Sequence, residues 1–158
     1  MYPASRFLIM VVLTLTASAC SGPLGPIPGG ALNGDPGPAA DDWAFAADAD
    51  HLQLETIDAA GKPYSVNVWS GVVDGRLFIP TSLVRGAEQP AERGWVQNAS
   101  ANSAVRVRID ELVYPGEIKR VTDPDLTRQV KAALAAKYAS EADERAARAW
   151  VFEVTSLP

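Results

Sequence analysis

Cysteine and histidine are almost missing from this chain of 158 residues, which has one of each. A single Cys excludes an internal disulfide, and one Cys with one His cannot build the usual zinc site. Ser-His-Asp and Cys-His catalysis have little raw material. Positive charge is also short. The chain has 14 Lys and Arg against 19 Asp and Glu, a net charge of −5, which argues against a dedicated nucleic-acid binder. The longest apolar run, Phe7–Thr16, is too short for a normal span of about 20 residues. No nucleophile elbow, P-loop or dinucleotide fingerprint occurs.

What is present is unevenly spread. Met1–Arg6 carries one positive side chain, Arg6, ahead of the apolar run. Ala17-Ser18-Ala19 and then Cys20 follow. This resembles a bacterial lipoprotein signal over residues 1–19, with Cys20 as the lipidated residue. The alternatives are a plain secretory signal that leaves Cys20 as a thiol, or an uncut anchor. Lipidation is favoured because the only Cys closes the run, and two acyl chains anchor where one does not. The expected location is the cell envelope, with a membrane as partner through Cys20.

Residues 20–40 hold eleven of the chain's 24 Gly and Pro. With only Leu24, Ile27 and Leu32 as sizeable apolar side chains, this segment reads as a flexible tether. The remaining 118 residues, 41–158, suit one domain. Asp41–Asp48 carries Trp43 and Phe45 and reads as a helical turn or lead-in that docks on the core.

His51–Asp58 alternates apolar and polar residues, as a half-buried strand does. Tyr64–Val73 reads as a second strand, and Asp74-Gly75 is a type I′ hairpin signal into Arg76–Ile79. Thr81–Glu92 reads as a loop and Arg93–Ala101 as a short helix. Ala104–Ile109 alternates, with Arg106 and Arg108 outward as a solvated face. Leu112–Tyr114 and Glu117–Val121 flank an interruption at Pro115-Gly116. Pro124–Tyr138 is the strongest helix, with Asp123 as N-cap and Leu126, Val130, Leu134 and Tyr138 as one stripe. Glu141–Arg148, capped by Ser140, and a last strand through Trp150, Phe152 and Val154 complete the order. This order predicts a mainly β fold with some α: a six-stranded, antiparallel, Greek-key-like barrel with one longer and one or two short helices.

Three stretches carry a family resemblance. They are Thr56–Pro63 with Val68-Trp69, then Asp74–Ile79, then Gly94–Asn102 ahead of Val105–Ile109; the helix ending Lys131–Tyr138 adds to them. With these the chain resembles the flavin-binding split-barrel superfamily of pyridoxamine-phosphate-oxidase-like proteins. It is most similar to the deazaflavin-dependent nitroreductase and quinone-reductase branch. The resemblance implies FMN or coenzyme deazaflavin as cofactor, a small acceptor such as a quinone, and a homodimer with cofactor near its interface. It places cofactor binding at Lys62, Thr81, Ser82, Arg85, Trp95 and Asn98, and no metal is implied. Charge-assisted donors suit a phosphate, and an indole of Trp69 or Trp95 suits a flavin ring. A non-catalytic envelope protein that uses the barrel for binding or association stands as the alternative. His51 reads as a surface residue, with axial haem ligation as a remote third option.

Overall fold

The computed structural model describes residues 22–81, 88–139 and 144–158. The described residues form eight strands: β1 (Asp35–Pro36), β2 (Leu52–Ile57), β3 (Pro63–Val68), β4 (Gly71–Val73), β5 (Arg76–Pro80), β6 (Ala104–Ile109), β7 (Leu112–Arg120) and β8 (Val151–Ser156). Three α-helices among the described residues join them: α1 (Gly94–Ala101), α2 (Pro124–Tyr138) and α3 (Glu144–Arg148). Seven strands run in the order β3-β2-β6-β7-β8-β5-β4, antiparallel throughout, and curl into a split half-barrel.

The expected barrel is therefore present, with two strands more than the six foreseen. One extra strand arises because Tyr64–Val73 is not continuous. Trp69 and Ser70 break it, so β3 lies at one end of the sheet order and β4 at the other. Ser70 is fully buried and keeps the alternation in phase, so periodicity alone does not show the break. The hairpin after β4 has positive φ at both Asp74 (51°) and Gly75 (73°), as a type I′ turn requires.

β7 runs unbroken through Pro115-Gly116. Pro115 is tolerated because its carbonyl accepts from Leu157 N, on the side away from β6. A strand residue's N–H and C=O point the same way, so the missing N–H breaks no bond to β6.

The barrel interior is filled by Leu52, Leu54, Leu77, Ile79, Val107, Phe152 and Trp95, among others. A second core lies outside the sheet, where α2 covers Val73, Phe78 and Val151 with Val130 and Leu134. Leu77 and Phe78 point to opposite faces and both are fully buried, so β5 is covered on both sides. Burying Val130 and Leu134 contributes roughly 1.5–3 kcal/mol each. Asp123 caps α2 by accepting from Leu126 N at 2.7 Å. The proposed Ser140 cap lies outside the described residues. Lys131 Nζ reaches the Ala147 carbonyl at 2.7 Å and ties α2 to α3. Burial pushes its pKa below the usual lysine value.

The Gly- and Pro-rich segment corrects the tether expectation. From Gly22 onward it lies along the barrel as a strap. Gly29 exchanges two backbone bonds with Ser65 on the free edge of β3, at 2.9 and 3.0 Å. Leu32 is 2% exposed; its N–H donates to Glu55 and its carbonyl accepts from Arg106. β1 then pairs parallel with Leu112-Val113 of β7. The reason is an unfilled edge. β8 covers β7 only from Arg120 to Gly116, and unpaired strand edges attract backbone. Gly34 and Gly37 permit the approach: a Cβ would lie 2.5 Å from the Glu111 carbonyl and 2.5 Å from the Tyr114 ring, respectively. Arg106 is accordingly not a solvated strand residue. It pairs with Glu55 at 3.1 Å beneath the strap.

The lead-in docks as expected. Trp43 is 3% exposed and meets the Tyr114 ring edge-on, with centroids 5.5 Å apart. Burial, and next the Asp110 charge, push the Tyr114 phenol pKa up.

Candidate functional site

The expected cofactor positions begin at the β2–β3 turn. Asp58 shapes this turn by accepting from the N–H groups of Ala60 and Lys62, both at 2.8 Å. Gly61 supplies the positive φ of 75°. Lys62 is left exposed at the tip, and Tyr64 follows two residues on.

Helix α1 packs across β2 and β3 at this end. Asn98 Nδ2 donates to Thr56 Oγ1 at 3.0 Å, and that hydroxyl donates to the Tyr64 carbonyl at 3.2 Å. The Tyr64 hydroxyl lies against Gly94, where a side chain would sit 3.2 Å from it. Arg93 immediately precedes the helix, and its Nε is buried with no hydrogen-bond partner among the described residues. At this end Tyr64 and Asn98 meet α1, Arg93 stands directly before it, and Lys62 lies two residues before Tyr64 at the turn tip. Arg93 and Tyr64 were not among the positions expected from the sequence. The one available signal was a cation directly before a helix-opening Gly.

Two expected positions turn inward instead. Thr81 is 1% exposed and pins the end of β5 to the start of β8. It donates to the Trp150 carbonyl from its N–H at 2.8 Å and accepts from Trp150 N at 2.8 Å. Trp95 is 1% exposed and packs edge-on against Phe152, with centroids 5.1 Å apart. Ser82, Arg85 and Cys20 lie outside the described residues.

A concavity lies at the other end of β3. This open groove of about 480 Å³ is lined by Gly25, Asp50, His51, Asn67, Val68, Trp69 and Tyr138. Trp69 is 47% exposed and stacks on Tyr138, with centroids 4.7 Å apart at 14°. The Tyr138 hydroxyl accepts from Ser70 N at 3.0 Å and donates to the Asp50 carbonyl at 2.8 Å. Lys137 Nζ holds the Ala49 and Ser70 carbonyls at 2.6 and 3.0 Å. Seven residues separate Lys62 from Trp69, roughly 20 Å along a strand. His51 is exposed at the groove. The described residues contain no cluster of His, Cys, Asp and Glu suited to a metal.

No protein-family model and no curated protein matches the chain. Solved structures do. An F420 reductase superposes with a TM-score of 0.51 at 19% identity, over 68% of this chain and 86% of that one. The heme storage protein HutZ from Vibrio cholerae gives 0.54 at 17% identity, over 69% and 82%. A protein described as a pyridoxamine 5′-phosphate oxidase, from Listeria innocua, gives 0.50 at 13% identity, over 69% and 85%. The fold is that of the pyridoxamine-phosphate-oxidase-like split barrels.

Within this split barrel the described residues fit a phosphate better than a ring. A buried guanidinium N–H without an acceptor is costly, and an anion would satisfy it. The start of α1 favours the same charge. The indole of Trp95 is enclosed, so it offers no open face to a flavin.

Proposed function

We propose that this protein is an exported, lipid-anchored split barrel that holds a phosphorylated flavin-type cofactor, FMN or the deazaflavin F420. In this reading it reduces a small acceptor such as a quinone. The observation that carries the reading is the Arg93 Nε, buried with no partner among the described residues, directly before α1, whose Gly94 lies against the Tyr64 hydroxyl. Arg93 and Lys62 would hold the phosphate, Arg93 with directional N–H donors and Lys62 as a point charge. Asn98 and Thr56 would fix α1 against β2 so that the donors stay aimed. The bound cofactor would supply the hydride or electrons.

One observation favours the non-catalytic alternative, in which the barrel serves binding or association in the envelope. Thr81 and Trp95 are committed to the protein's own interior.

Absorbance titration of the purified full chain with FMN, F420 and haem separates the readings. Saturable flavin binding, weakened about tenfold or more in Arg93→Ala or Lys62→Ala, supports the cofactor reading; loss of one charge-assisted bond has that size. Failure of both flavins to bind overturns it and leaves the association module. Binding of haem alone would move the chemistry to a third class, with His51 as the candidate ligand.

A further inference from the structure

We propose that the turn Leu24–Ile27, together with Trp69, is the face of the molecule that meets the lipid surface. The strap would then fix how the barrel sits on the membrane. This placement rests on the reading of Cys20 as the lipidated residue.

Among the described residues, five large apolar side chains are exposed, and three belong to this one end. Leu24 and Ile27 are each 64% exposed and Trp69 is 47% exposed. Leu24 and Ile27 close a single turn through two reciprocal backbone bonds of 3.0 Å. Gly25, between them, lines the same groove as Trp69.

The turn is held rather than loose. Gly25 has φ of 55°, and Pro23, Pro26 and Pro28 fix their own φ values. Asn67 Nδ2 donates to the Gly25 carbonyl at 2.9 Å, and Gly29 is bonded to the edge of β3. Little conformational freedom remains to be lost when these aliphatic side chains are covered.

Chain geometry selects a lipid surface as the occupant. Cys20 precedes Gly22 by two residues and Leu24 by four. At roughly 3.5 Å per residue, Leu24 cannot lie more than about 14 Å from Cys20 along the chain. The polar layer of each leaflet is itself only about 5–8 Å deep. Acyl chains on Cys20 would therefore keep the turn within about 14 Å of the lipid surface, close to the interface where Trp is the favoured aromatic. A free segment of 21 residues would instead give a span of about 25 Å and no fixed orientation.

The groove lining carries Asp50 and His51 and no Lys or Arg. Anionic headgroups are thus not the attraction. The contact should form on zwitterionic lipid and resist salt.

The test uses the full lipidated chain in phosphatidylcholine vesicles whose acyl chains carry a doxyl quencher. Wild-type tryptophan emission should be quenched, with the quenched component absent from Trp69→Phe. The pair Leu24→Ser and Ile27→Ser should still float with the vesicles but lose at least threefold of the quenching. A wild-type protein that floats and carries lipid mass on Cys20, yet is quenched no more than Trp69→Phe, overturns the placement alone. Absence of lipid mass on Cys20 overturns the anchoring reading and this placement with it.

Discussion

Glu55 and Arg106 stand opposite each other in the β2–β6 register, and both grip the backbone of Leu32. Glu55 is 3% exposed, whereas the Arg106 side chain is 40% exposed. The pair is therefore asymmetric. Arg106 can return to water when its partner is lost, and Glu55 cannot. Arg106→Ala should destabilise the fold by about 2–3 kcal/mol, somewhat below the cost of breaking a fully buried pair. Glu55→Gln keeps a polar partner for Leu32 and should cost only about 1 kcal/mol. Urea unfolding measures both, and a cost below about 0.5 kcal/mol for Arg106→Ala would mean a surface arginine after all.

The strap's glycines separate by position. A Cβ on Gly34 would lie 2.5 Å from the Glu111 carbonyl, whereas one on Gly30 meets nothing within 4 Å. Gly34→Ala should therefore open the strap locally, and Gly30→Ala should leave it seated. Limited proteolysis of residues 22–40 is the readout. Cleavage should accelerate about tenfold or more in Gly34→Ala, as expected when opening becomes easier by about 1.4 kcal/mol or more. Equal rates in the two variants would contradict the docked strap.

Tyr138 can be tested without disturbing the core. Its hydroxyl is the acceptor for Ser70 N, in a residue that is fully buried. Tyr138→Phe preserves the stack on Trp69 and orphans that N–H, so stability should fall by about 1–3 kcal/mol. Thermal unfolding with the near-ultraviolet signal retained at low temperature is the check. An unchanged midpoint would show that water replaces the phenol.

Local signals carried most of the fold. Pro124–Tyr138 emerges with the bounds foreseen because its cap, its proline and its apolar stripe are all near neighbours in sequence. Asp74-Gly75 is legible for the same reason. What escaped depends on distant partners. Nothing in the alternation of Val66, Val68 and Val72 reveals that the chain changes ends of the sheet at Trp69-Ser70. The strap was missed because composition measures what a segment can bury by itself. Leu32 is instead held by its backbone, through groups 23 and 74 residues away. The candidate site was half legible. Lys62 and Asn98 come to one end, while Thr81 and Trp95 serve the interior. The cation before a helix-opening Gly marks Arg93, but sequence does not show that its Nε is buried without a partner among the described residues.

The shared flank of β7 also sets an order in time. The position taken by Asp35-Pro36 is bounded on one side by Leu112-Val113 and closed at its end by Ser156, whose Oγ accepts from Ala40 N. Both boundaries are synthesised long after the strap itself. An early-made stretch, Asp35 to Ala40, is thus among the last to find its seat. Until the final strand arrives, the stretch from Asp35 to Ala40 has an incomplete seat, although Gly29 and Leu32 can already meet β3 and β2.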